Sequence, residues 1–120
     1  MIKIIVLILP IMVAIAAPSP YDQGKKLYFS KGCNGCHGVS ASGTNIYPSL
    51  AYRRKAFLTY RLKQLRSKQG NTQLAQMMIP FAMGLNDSQI DALTTFLSEY
   101  HENSKEKYSP DDSNTGDGSS

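Results

Sequence analysis

Cys33-Asn34-Gly35-Cys36-His37 decides how the rest of this chain is read. Two thiols two residues apart can add across the two vinyl groups of one porphyrin, and an imidazole directly after the second then lies beneath the iron. This is the spacing of c-type haem attachment. In that reading His37 supplies the proximal nitrogen through Nε2, while its Nδ1–H donates to a backbone carbonyl that fixes the tautomer. Asn34 and Gly35 are small and turn-tolerant, which suits a chain that doubles back against a flat macrocycle. The cofactor expected is one covalently bound haem c with its iron.

Redox dithiols, zinc sites and structural disulfides use similar cysteine pairs. A thioredoxin-like dithiol needs a βαβ setting, and no strand pattern surrounds these cysteines. Zinc usually takes four ligands, and the only other strong candidate is His101, far along a helix. A disulfide across two intervening residues closes a small, strained ring. Haem attachment is the strongest of the four readings.

Covalent haem attachment in bacteria takes place outside the cytoplasm, and the N-terminus carries a matching address. Lys3 gives a minimal positive region, Ile4 to Ala16 is almost wholly apolar, and Ala14-Ile15-Ala16 has the A-x-A form of a cleavage site. Residues 1–16 are therefore read as a signal peptide and the mature protein as periplasmic, without stable membrane insertion once the segment is cut. The run is short for a bilayer span and contains Pro10, which weighs against a permanent anchor. At the other end, residues 103–120 are rich in Ser, Asp, Gly and Lys, with Tyr108 the only large apolar side chain. That composition predicts a disordered polar tail. One domain, residues 19–102, remains without internal repeats. Its own core is marginal at that size, and a covalently held haem would add apolar mass.

Within this domain the periodicity is helical and no alternating strand stands out. A first helix runs from Pro20 to Ser30, with Ser19 as N-cap, Pro20 at the first helical position and Asp22 in the first turn. A second stretch, Lys55 to Ser67, carries Phe57, Leu58, Leu62 and Leu65 at helical spacing. A shorter helix is expected over Thr72 to Met77. The last helix is the best defined: Asn86 as N-cap, Gln89 three residues on, Leu85 and Ile90 as a hydrophobic staple, and a stripe of Ile90, Leu93, Phe96, Leu97 and Tyr100. Pro48, Gly70, Pro80 and Gly84 are read as breaks between elements. The fold class is all-α.

A sixth iron ligand has few sources. Methionine is favoured, because thioether ligation stabilises ferrous iron and raises the potential, and the candidates are Met77, Met78 and Met83. His101 would make a bis-histidine site, yet it lies beyond the last helix stripe.

At this point the chain resembles the class I cytochromes c, most closely their small bacterial periplasmic members, over nearly all of Tyr21 to Tyr100. Gly24 and Tyr28 match positions of the family's N-terminal helix, Cys33, Cys36 and His37 the haem motif, and Phe96 the aromatic of the C-terminal helix that crosses the first near Gly24. One departure falls at Ala51-Tyr52, where many relatives have Gly-Gln. The resemblance implies a cytochrome c fold of three to five helices wrapped around one haem. It implies that the carbonyl of Pro48 accepts the proximal Nδ1–H. It also implies Met78 as the axial ligand, through Met78-Ile79-Pro80-Phe81-Ala82-Met83-Gly84-Leu85, with Met77 as the adjacent alternative.

The 120-residue chain has a net charge of +4. Arg53, Arg54, Lys55, Arg61, Lys63, Arg66 and Lys68 form a run without an intervening acid, which is either a solvated helix face or a surface that steers an acidic redox partner. Export disfavours nucleic acid as a partner. The expected function is respiratory electron transport by a carrier, not an enzyme, its iron cycling between ferric and ferrous states with His/Met ligation. Two alternatives stand beside it: the haem subunit of a flavin- or sulfur-oxidising dehydrogenase, and a ligand-binding or peroxidase-like haem protein. The latter needs an open sixth position and a distal acid–base pair, for which His101 is the only spare histidine.

Overall fold

A computed structural model describes residue 5 and residues 7–101. The expected signal segment lies partly, and the expected tail at 103–120 wholly, outside the described residues. Residues 7–19 have no regular secondary structure, and their large apolar side chains, Leu7 to Ile15, are exposed. Among the described residues no helix is long and apolar enough to cross a membrane.

Five α-helices form among the described residues, in the order α1 (Pro20–Ser30), α2 (Cys33–His37), α3 (Lys55–Arg66), α4 (Gln73–Met83) and α5 (Asp87–Ser98). The only β pairing described is an isolated bridge between Thr44 and Tyr47. Local chemistry sets the ends of the outer helices. The Ser19 hydroxyl accepts from the Asp22 amide at 3.2 Å ahead of Pro20. Asn86 and Gln89 form a reciprocal capping box, the Asn86 side chain accepting from the Gln89 amide at 2.8 Å and the Gln89 side chain from the Asn86 amide at 3.0 Å.

The main core is the crossing of α1 on α5. Tyr28, Ile90, Leu93, Phe96 and Leu97 are buried there, and the faces meet at Gly24, where an added Cβ would stand 1.9 Å from the Ala92 carbonyl oxygen. A second, smaller cluster lies between α3 and α4, built on Leu65, Ile79 and Ala82, with Met78 packed against it. Leu62 touches both clusters. Among the helices, α4 comes within 8 Å of α3 alone, counted between Cα atoms. The molecule is thus two packed pairs joined through α3.

The fourth helix differs from expectation. In place of a short helix over Thr72 to Met77, α4 continues to Met83 with Pro80 inside it. Proline in a helix interior costs about 3 kcal/mol through a lost hydrogen bond and a clash with the carbonyl four residues back. Burial on both sides of Pro80 offsets that cost. Ile79 and Ala82 are 8% and 0% exposed, and full burial of an isoleucine is worth about 1.5–3 kcal/mol. The third helix ends at Arg66, one residue short of the expected limit, with Ser67 as C-cap.

Two ion pairs hold α3 to the first half of α5: Lys55 Nζ to Asp91 Oδ1 and Arg66 Nη2 to Asp87 Oδ1, each at 2.7 Å. Arg66 also donates through Nη1 to the Leu85 carbonyl at 3.2 Å. The Arg66 hydrogen bond and charge hold the Asp87 carboxyl below the usual carboxylate range. A carboxyl depressed on folding stabilises above its unfolded value, and that contribution is lost as pH falls through the depressed folded one. Asp87→Asn should therefore lower the thermal midpoint slightly at neutral pH. In paired melts the gap from the parent protein should close as the solution is taken below the carboxylate range.

Candidate functional site

The Cys33–His37 segment folds into a single helical turn, which places residues 33, 36 and 37 on one side by the i, i+3, i+4 rule. His37 is 7% exposed, and its Nδ1 lies 2.9 Å from the Pro48 carbonyl oxygen. A carbonyl can only accept, so Nδ1 carries the proton and Nε2 keeps the lone pair. That tautomer is the one a metal-ligating imidazole requires.

The strap after α2 and Tyr28 of α1 together fix this turn. The Gly43 amide donates to the His37 carbonyl at 2.9 Å, the Thr44 hydroxyl to the Cys36 carbonyl at 3.2 Å, and the Tyr28 hydroxyl to the Gly38 carbonyl. Three successive carbonyls at the end of α2 are thus captured by three different donors. Gly43 stands at φ 78°, and a Cβ there would meet the Tyr47 oxygen at 2.5 Å, so only glycine closes the strap this tightly. Tyr28 is fully buried; desolvation pushes its phenol well above the usual value, which keeps it protonated as a donor.

In front of His37 lies a cleft of about 420 Å³, within the size range of small-molecule and cofactor pockets. Cys36, His37 and Pro48 line it together with Leu58, Leu62 and Leu65 of α3 and Met77, Met78 and Phe81 of α4. The cleft therefore lies between the α2 turn with its following strap and the α3–α4 pair, with Leu97 of α5 at its edge. Its charged lining residues are Arg53 and Arg61. Both cysteines are free thiols and half-buried. Cys36 is on the cleft wall, whereas Cys33 packs against the main core, where burial above all pushes its thiol up.

These residues fit a haem. An apolar cleft receives a flat macrocycle, a pre-set imidazole nitrogen is on its lining, thiols stand on the same helical turn, and thioethers are supplied by α4. Met78 is half-buried in the small cluster and Met77 is 51% exposed, yet both line the cleft. Met83, 50% exposed, is not on the lining. Nor is His101, which stacks on Tyr21 with ring centroids 4.8 Å apart.

Sequence reasoning missed Tyr28, Thr44 and Arg53 as parts of the site. A hydroxyl on the buried stripe of α1 was the available signal for Tyr28. Thr44 carried none and Arg53 was visible only as a member of the cationic run, because their partners are backbone carbonyls. The Arg53 Nε donates to the Ser49 carbonyl at 2.7 Å, and its guanidinium stands 5.7 Å from the Phe57 ring centroid, tying the strap to α3 at the cleft rim.

The family model described as Cytochrome c matches residues 21–100. The chain is 33% identical over 67 residues to cytochrome c-554(548) of Halomonas halodenitrificans, covering 55% of this chain and 81% of that protein. Among solved structures, reduced recombinant cytochrome c4 from Pseudomonas stutzeri superposes with a TM-score of 0.62 at 26% identity. That match covers 72% of this chain and 50% of the other, so the chain spans half the length of that structure.

Proposed function

This chain belongs to the cytochrome c family, and on that premise we propose that it is a periplasmic electron carrier whose haem is held by Cys33 and Cys36 and ligated by His37 and Met78. It binds one haem c covalently and transfers electrons; it is a carrier and not an enzyme. The bound haem supplies the redox chemistry, one electron gained or lost at iron. Cys33 and Cys36 would form the thioethers and His37 would donate through Nε2, while Pro48 holds the ring in that tautomer. Met78 would supply a soft thioether donor, which favours the ferrous state. Leu58, Leu62 and Leu65 exclude water, so that little solvent has to reorganise when the charge changes.

The observation that carries this reading is the His37 Nδ1 to Pro48 carbonyl contact on the wall of an apolar cleft lined on α4 by methionines. The apolar stretch ending in Ala14-Ile15-Ala16 supports export and removal of the leader. N-terminal sequencing of the haem-loaded protein from a periplasmic extract should begin shortly after Ala16. The cationic run from Arg53 to Lys68 supports an acidic partner.

The oxidised protein should show a methionine-to-iron charge-transfer band in the near infrared and bind carbon monoxide or cyanide slowly. Rapid binding of either ligand, with no such band, would replace the carrier with a ligand-binding haem protein.

A further inference from the structure

Residues 23–86 contain ten Lys and Arg and no Asp or Glu, so every carboxylate of the helical body comes from outside that stretch. Two of the cations are already neutralised: Lys55 by Asp91 and Arg66 by Asp87. Lys63 also faces the Asp87 side, where its charge helps depress that carboxyl. Arg53, Arg54 and Arg61 have no carboxylate partner among the described residues, and Arg53 and Arg61 line the cleft. Two cations without a carboxylate partner, Arg53 and Arg61, therefore stand at the cleft itself.

Tyr52 precedes this group at φ 65°. A bulky aromatic in the left-handed region is a genuine outlier, and an observed outlier of this kind is a pointer to use. The side chain is nevertheless 66% exposed, with one edge against Tyr100 at 5.6 Å between centroids. Next to it, Arg53 is already immobilised by Ser49 and Phe57, which reduces the side-chain entropy lost on binding. Exposed tyrosine and pre-set arginine are the residue types that dominate interface energetics.

We propose that the corner formed by Tyr52, Arg53 and Arg54, with Phe57 and Arg61 beside it at the cleft, is the contact surface for an acidic face of the redox partner protein. This rests on the acidic-partner reading above and narrows it to named side chains. Arg54 and Arg61 steer the encounter, whereas Tyr52 is an anchor that acts after contact and so at any ionic strength.

The ferrous, haem-loaded protein is mixed by stopped flow with an oxidised, acidic blue-copper protein as probe; one electron leaves the haem and reduces Cu(II) to Cu(I). Tyr52→Asn tolerates a positive φ and should lower the bimolecular rate at least about five-fold at every salt concentration, with an unchanged reduction potential and no lower thermal midpoint. Arg54→Gln should slow the reaction several-fold at low salt and converge with the parent at high salt. The double variant Lys55→Gln/Asp91→Asn, which removes an ion pair and leaves the local net charge unchanged, should stay within about two-fold. A flat salt response of the parent protein overturns the acidic-partner reading itself. A steep response that neither Tyr52→Asn nor Arg54→Gln alters overturns only the placement. If Tyr52→Asn keeps its rate but no longer sediments with anionic phospholipid vesicles that capture the parent, the corner faces a membrane and the proposal fails.

Discussion

Gly24→Ala should destabilise the protein by at least about 2 kcal/mol, and Gly24→Val should prevent accumulation of the folded, haem-loaded form. A Cβ at residue 24 would lie 1.9 Å from the Ala92 carbonyl oxygen and 2.7 Å from the Phe96 Cβ. Both obstacles are parts of α5 that cannot rotate away, so relief requires the helices to separate where Tyr28, Leu93 and Phe96 are buried. Overpacking of this kind costs about 1–3 kcal/mol where neighbours can shift and more where backbone is struck. The helix propensity gained from Gly to Ala returns only about 1 kcal/mol. Urea unfolding of the holoprotein measures the balance. Gly35→Ala is the matched control inside the cysteine motif: a Cβ there meets nothing within 4 Å, and its stability should be unchanged or slightly higher. If both variants unfold alike, the crossing at Gly24 is not the point at which the two helices are locked.

The α1 and α5 boundaries were legible because caps act within four residues of sequence: Ser19, Pro20 and Asp22 for one, Leu85, Asn86 and Gln89 for the other. The extent of α4 was not, because Pro80 forbids by local rule what Leu65 rewards from another helix. Burial of Ile79 and Ala82 against a residue fourteen or more positions away carries no signature inside the window from Thr72 to Met83. The same division runs through the site. The cysteine pair and His37 are a local pattern, and the family's Pro48 extends it; the Tyr28, Thr44 and Arg53 bonds all end on backbone carbonyls, which every residue possesses and no sequence marks. The charged run from Arg53 to Lys68 was visible as a single block. Only the fold divides it, since Asp87 and Asp91 reach back from α5 to two of its members.

Met78→Leu should abolish the near-infrared charge-transfer band, lower the reduction potential and open the iron to carbon monoxide in the ferrous state. Leucine conserves the volume that packs against Leu65, Ile79 and Ala82, and such swaps usually cost under about 1.5 kcal/mol. Met78→Ala removes the same donor and also that packing, at about 2 kcal/mol for a half-buried methionine. A spectrum lost in both variants with stability lost mainly in the second separates ligation from packing. The rival donor is one residue away. Met77 also lines the cleft but is 51% exposed and lies outside the small cluster, so Met77→Leu should leave band, potential and stability close to the parent. Adjacent residues point about 100° apart on α4, yet both side chains reach the cleft lining, so the pair of variants decides which sulfur is the donor. Should Met77→Leu erase the band while Met78→Leu keeps it, Met77 is the donor from its place on the cleft lining, and the half-buried Met78 is a core residue of the α3–α4 pair.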